Sequence, residues 1–179
     1  MANAKYLLDG EDWKIKPCIS SEAVMVGVHK PEYDDDSWTP ASVPSCSHRE
    51  LEEAGALPDI WFGTNSLSSE WVENRDFAWR KWFEAPAELA GKRALLRFEG
   101  VDYDCTVYLD GEELGSHTGM FSPFEFDVTA RLRPGQRHLL CVIVYAPPKE
   151  EAQMGWTKRV KTFKPRMNYN WDFSCRLVP

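Results

Sequence analysis

The sequence predicts an all-β fold, a β-sandwich or jelly roll, and three observations carry that reading. Short apolar or alternating stretches recur from residue 77 to residue 145, separated by Gly, Pro and Asp-Gly turn signals. A single segment has the start and stop chemistry of a helix. No strand-helix-strand alternation is present, and 179 residues fall short of the roughly 250 of an eight-fold (β/α) barrel.

The elements follow in order. Ser47–Ala54 (SHRELEEA) predicts the one short helix, over residues 47–54. Ser47 is placed to cap its N-terminus, Glu50 sits three residues on as in a capping box, and Gly55 supplies the stop. Phe77–Glu84 (FAWRKWFE) alternates, with Phe77, Trp79, Lys81 and Phe83 on one face and Ala78, Arg80, Trp82 and Glu84 on the other. Ala94–Phe98 is a short apolar run. Asp104–Leu109 leads into Asp110-Gly111, a strong hairpin signal, and Glu112–Ser116 returns along it. Phe124–Val128 alternates again, Pro134-Gly135 marks a turn, and His138–Tyr145 (HLLCVIVY) reads as a core strand. Pro147-Pro148 ends it, because proline cannot donate to a sheet ladder.

The chain is rich in rings, with 8 Trp, 6 Tyr and 9 Phe, enough for a sizeable core. Its formal charge is −7 and its isoelectric point is near 5.2, which argues against a nucleic-acid partner held by phosphate contacts. The charge is uneven: residues 153–179 carry six basic side chains against the single acid Asp172. That stretch is read as a solvated strand edge or, less simply, as a polyanion site. No signal peptide or membrane helix is predicted, and no membrane partner. Cys18, Cys46, Cys105, Cys141 and Cys175 are scattered, with no zinc-ligand spacing. They fit free thiols in a reducing cytoplasm, so the expected localisation is cytoplasmic. His29, His48, His117 and His138 are expected to be structural. Asp34-Asp35-Asp36 reads as a solvated turn, and neither metal nor cofactor is expected.

The segment Asn168-Tyr169-Asn170-Trp171-Asp172-Phe173 mixes amide, aromatic and carboxylate groups. Sugars need that combination, since their C–H faces lie on rings while their hydroxyls need fixed donors and acceptors. The same residues fit a core position for Trp171 and Phe173 with Asp172 capping a turn, and composition leaves both readings open.

Four stretches together resemble the N-terminal domain of glycoside hydrolase family 2, its β-mannosidase branch above all. They are Val43–Val72 (VPSCSHRELEEAGALPDIWFGTNSLSSEWV), Arg80–Phe83 with Leu96–Leu109 (LRFEGVDYDCTVYL) and then Asp110-Gly111, Gly115–Val128 (GSHTGMFSPFEFDV) and Arg159–Val178 (RVKTFKPRMNYNWDFSCRLV). The likeness runs from about Leu7 to the end. It departs at Ser45 and Ser47, where the family has Gly and Val, at Ser66, where it often has Glu, and at Ser174-Cys175, near an expected Pro. The resemblance implies a galactose-binding-type jelly roll. It implies one domain over residues 1–179, ending before its last strands, and an unpaired edge open to dimerisation. It implies that an immunoglobulin-like sandwich and a barrel follow in the intact enzyme, the barrel holding two catalytic glutamates about 5–5.5 Å apart for retaining hydrolysis of β-D-mannosides. The family's acid/base glutamate follows an asparagine, and this chain has no Asn-Glu dipeptide. The chain alone is therefore expected to be inactive. The resemblance assigns substrate binding to Asp172, beside Trp171, and more weakly to Asn65. A β-galactosidase or β-glucuronidase type, an independent carbohydrate-binding module and a purely structural interaction domain are the other readings.

Overall fold

The computed structural model describes residues 4–146. In chain order they form β1 (Gly10–Cys18), α1 (Ser20–Met25), β2 (Thr39–Val43), α2 (Ser47–Glu53), β3 (Asp76–Glu84), β4 (Leu95–Phe98), β5 (Asp104–Leu109), β6 (Glu112–Thr118), β7 (Phe124–Asp127) and β8 (Arg137–Val144). Six strands make an antiparallel sheet in the order β2-β1-β3-β8-β5-β6, and β4 pairs with β7 in a second, smaller sheet.

The two sheets sandwich the main core. Trp13, Ile15, Phe77, Trp79, Cys105, Val107, Leu140 and Val142 project from the large sheet, while Leu96, Phe98, Phe124 and Phe126 come from the small one. Phe98 stacks on Phe124 at 4.8 Å between ring centroids, and Phe126 meets both edge-on. Full burial of one such side chain contributes about 1.5–3 kcal/mol. The alternating β7 motif is thus the inner face of the smaller layer.

The outer face of the large sheet is covered as well. Ala78, Tyr108, Cys141 and Ile143 pack there under Ala23 of α1, Val28 and Trp38. This double cover explains why β3 and β8 are buried along most of their length and why β8 reads as a continuous apolar stretch. The alternation predicted for β3 places its residues on two faces, and both turn inward. Lys81 lies on the core face yet is only 5% exposed. Its ammonium lies over the Trp13 ring and pairs with the Asp12 carboxylate at the sheet margin.

β1, β2 and α1 are additions to the predicted elements. β1 alternates Trp13 and Ile15 with Lys14 and Lys16, a signal two pairs long. β2 contains Pro40, which a central strand would not tolerate, but among the described residues β2 is an edge strand and pairs only with β1.

Two local readings are corrected. The helix starts at Ser47 itself and lacks the capping box: Cys46 is its N-cap, with no side-chain cap, and Ser47 lies buried within the first turn. The Glu50 carboxylate, 3% exposed, instead accepts hydrogen bonds from the Ser42 N–H at 3.0 Å and the Ser42 hydroxyl at 2.8 Å, tying α2 to β2. The C-terminal stop is as expected. Gly55, at φ 73°, donates to Glu52, and Ala56 donates to Leu51, so the last carbonyls are satisfied.

The second correction concerns Asp34-Asp35-Asp36. The outer two are exposed, but Asp35 is buried at 8% exposure. Its carboxylate accepts from the Lys14 ammonium at 2.6 Å and lies 3.1 Å from Arg80 Nε, whose side chain is 1% exposed. Arg80 also donates to the carbonyls of Tyr33 and Lys30 at 3.1 and 3.3 Å and lies over the Tyr33 and Trp38 rings. One arginine of β3 therefore holds the loop that covers the outer face.

The Asp110-Gly111 hairpin forms as predicted. Leu109 pairs with Glu112 across a two-residue turn, and Asp110 and Gly111 have φ of 53° and 84°. Asp110 does more than turn the chain. Its carboxylate accepts from the Leu139 N–H at 2.8 Å and lies 2.6 Å from His138 Nδ1. Asp110→Gly keeps the positive φ and removes the carboxylate, so it is expected to cost about 1–3 kcal/mol, readable by urea denaturation. A loss under 0.5 kcal/mol would assign the residue to the turn alone.

Candidate functional site

Of the residues that the sequence singles out for substrate binding, Asn65 lies within the described residues, and Trp171 and Asp172 lie outside them. Asn65 opens a short 3-10 turn, Asn65–Ser69, in the long connection between α2 and β3. Buried Leu57 and Ile60 pin this connection at one end and Val72 at the other. Between them the chain is held by local polar bonds. The Asp59 carboxylate accepts from the Trp61 N–H at 2.9 Å, and the Asp59 carbonyl accepts from Asn65 Nδ2 at 2.9 Å. The Ser68 hydroxyl donates to the Asn65 carbonyl at 2.6 Å. The Asn65 amide group therefore braces the loop.

The bracing leaves rings outside. Trp61 and Phe62 are 63% and 73% exposed, close in sequence to Asp59 and Asn65. Aromatic faces beside a carboxylate and an amide are groups that can meet a sugar's C–H face and hydroxyls. The sequence carries no signal for an exposed pair at this point, since Ile60-Trp61-Phe62 looks like any apolar triplet until Ile60 alone turns inward.

Several other chemistry-bearing side chains among the described residues are committed to structure. Asp35 and Glu50 are engaged as above, and the Asp76 carboxylate accepts from the Ala146 N–H at 2.6 Å. Burial pushes the thiols of Cys18, Cys105 and Cys141 up to about 12 and raises that of Cys46, so none of these four is a thiolate at neutral pH. His117 stacks on Phe124 at 4.0 Å, with Nε2 2.9 Å from the Gly119 carbonyl. His138 lies between Asp110 and the backbone of Arg133. His29 packs on Tyr108, and burial, helped by Lys30, lowers its pKa. Burial also lowers His48, to about 4, against a hydrogen bond with the Ser69 backbone. A cleft of about 200 Å³ opens on the outer face beside α1, lined by Lys16, Cys18, Glu22 and Tyr33 among others. Among the described residues, no group of three or more His, Cys, Asp or Glu is arranged to hold a metal, and no helix is long and apolar enough to cross a membrane.

Comparison with known proteins gives this architecture its relatives. Residues 20–179 match the family described as glycosyl hydrolase 2 galactose-binding domain-like. The chain is 29% identical over 161 residues to beta-mannosidase B of Aspergillus niger, covering 82% of this chain and 19% of that protein. It is 30% identical over 157 residues to beta-mannosidase B of Emericella nidulans, covering 80% of this chain and 19% of that one. Among solved structures, the beta-D-mannosidase of Dictyoglomus thermophilum superposes with a TM-score of 0.73 and 31% identity, covering 94% of this chain and 20% of that one. A beta-glucuronidase of Ruminococcus gnavus superposes with a TM-score of 0.58 and 26% identity over 77% of this chain and 20% of its own. The chain thus spans about a fifth of the length of these relatives. A jelly-roll sandwich with the predicted hairpin and inward-facing Phe124 and Phe126 agrees with that assignment, and the chain belongs to the glycosyl hydrolase 2 galactose-binding domain-like family, on its β-mannosidase-like branch.

Proposed function

We propose that this chain is the N-terminal, non-catalytic domain of a retaining β-mannosidase-like glycosidase, and that it contributes Asp172 to the substrate pocket. The observation that carries this reading is the likeness to a beta-D-mannosidase across 94% of the chain. Asp172, next to Trp171, sits in the sequence where the family's sugar-holding aspartate is expected. A carboxylate there can accept hydrogen bonds from two neighbouring hydroxyls while an indole lies against the ring's C–H face. Asn65 braces the loop that carries Trp61 and Phe62, and its part in binding is to hold that loop in place. Bond cleavage belongs to glutamates of a barrel in the intact enzyme. The free cysteines suit a cytoplasmic protein, and a sheet edge left unpaired would offer a route to dimers.

The test is Asp172→Ala in the intact enzyme, assayed on a nitrophenyl β-mannoside. A loss of about a hundredfold or more in kcat/KM is expected, the scale of removing one pre-positioned hydrogen-bonding group. Unchanged efficiency would reject the role of Asp172. The isolated chain should bind neither mannose nor manno-oligosaccharides at millimolar concentration, because one wall of a pocket leaves most of a sugar in water. Saturable binding by calorimetry would favour an independent carbohydrate-binding module. The second substrate reading, a β-glucuronidase type, is favoured by the R. gnavus likeness and is distinguished by assaying the nitrophenyl β-glucuronide in parallel.

A further inference from the structure

The connection between α2 and β3 displays two adjacent rings on a fixed base. Leu57, Ile60 and Val72 are buried and anchor it. Between these anchors, four backbone N–H groups are bonded within the loop. That of Trp61 donates to the Asp59 carboxylate, that of Phe62 to the Asp59 carbonyl, that of Asn65 to the Phe62 carbonyl and that of Leu67 to the Thr64 carbonyl. The side chains of Asn65, Ser68 and Ser69 donate to further loop carbonyls. Trp61 and Phe62 are left mostly exposed, whereas Trp13, Trp38, Phe77 and Trp79 are at most 6% exposed. Gly63 follows the pair at φ 59°, and a Cβ placed there would meet nothing within 4 Å, so the space beside it is open.

Large rings held in water by a local frame mark a surface that binds something. Because the frame is fixed beforehand, little freedom is lost when a ligand settles on it. The loop spends most of its polar groups on its own shape, so what it presents outward is mainly ring surface. A pyranose lays its C–H face on such a surface whatever the configuration of most of its hydroxyls, whereas telling one sugar from its epimer takes fixed donors and acceptors. An enzyme acting on terminal β-mannosides has to recognise the mannosyl unit and accept what that unit is attached to. Ring surface with few fixed polar groups suits the second task.

We propose that Trp61 and Phe62 form a stacking platform for the leaving-group sugar of an oligosaccharide substrate. This platform presupposes the β-mannosidase-like reading above and extends it from the mannosyl unit to the sugar attached to it. A neighbouring protein domain is a poorer occupant, because Asp59 and Thr64, both exposed, flank the pair in the chain, and the cores of protein interfaces are depleted of charged residues.

Kinetics of the intact enzyme test it, with β-1,4-linked mannotriose compared with methyl β-mannoside, whose methyl leaving group is too small to stack. In Trp61→Ala/Phe62→Ala, the loss of kcat/KM is expected to be at least tenfold greater on mannotriose than on methyl β-mannoside, and to be carried by KM. Trp61→Tyr/Phe62→Tyr, which keeps a ring at each position, should restore most of it. Equal losses on the two substrates overturn the platform, in favour of rings buried against another domain, and so does no loss on either. Should the double variant not fold, the parent decides: its KM is expected to be at least tenfold lower for mannotriose than for methyl β-mannoside, and equal values overturn the platform. The mannosidase reading fails separately, if the parent cleaves neither mannoside. The same ratio is then taken between a disaccharide with a terminal β-glucuronosyl unit and methyl β-glucuronide, and equal losses there overturn the platform as well.

Discussion

Asp35→Ala is expected to destabilise the domain by about 3–5 kcal/mol, the cost of leaving a buried charge without its partner. The reason lies in what remains. Arg80 is 1% exposed and would stay charged under the Tyr33 and Trp38 rings, its remaining bonds going to the backbone carbonyls of Lys30 and Tyr33. Lys14 loses its 2.6 Å acceptor too, but its side chain is about one-third exposed and water can replace Asp35 there. Lys14→Met should therefore cost far less, within about 1 kcal/mol. Asp34→Ala and Asp36→Ala change exposed carboxylates and should stay within about 0.5 kcal/mol of the parent. Urea denaturation of the four variants tests the pattern. Equal effects at positions 34, 35 and 36 would restore the solvated-turn reading that the sequence suggests.

The second large effect is a dependence of stability on pH. Burial holds folded His48 at a pKa of about 4, while the unfolded chain titrates this group near 6.5. Between those values the unfolded state binds more protons than the folded one, so stability rises with pH in that window. The contribution is fully present above about pH 6.5 and is lost as pH falls towards 4, amounting to about 3 kcal/mol. His29, lowered in the same direction, adds to the slope. Asp127, held at about 2 by hydrogen bonds from Thr129 and Arg93, titrates well below it. The measurement is the difference between parent and His48→Gln in denaturant stability from pH 4 to 8, in which the His29 contribution cancels. The difference should be flat above pH 7 and fall below 6.5. Parallel profiles would mean that His48 is protonated in the folded state as readily as in the unfolded one.

The parts of the fold written in short-range chemistry could be read from the residues. Asp110-Gly111 specifies a positive-φ turn whatever surrounds it, and the strand boundaries on either side follow. Gly55 stops α2 because few other residues take its φ. The alternations in β3 and β7 name faces correctly. The motif order, more than any single motif, gave the family, and residues 20–179 match its model.

What escaped the sequence depends on partners far along the chain. Pro40 argues against a strand until β2 is seen to be an edge. Glu50 satisfies a capping-box pattern, but Ser42 of the neighbouring strand offers two donors that outcompete the helix's own N-terminus. Asp35 looks like its neighbours in a run of three acids, and only the fold places Arg80, 45 positions away, against it. Asn65 reads as a turn former or a ligand, and only the folded loop brings its amide to the Asp59 carbonyl. By itself, then, the sequence determined the β class, the hairpin, the inward faces and the family, because those depend on local conformation and periodicity. The tertiary structure decided which charges are buried, which rings are left outside and which polar groups are spent on the scaffold, because burial and pairing are set by residues that meet only when the sheets close.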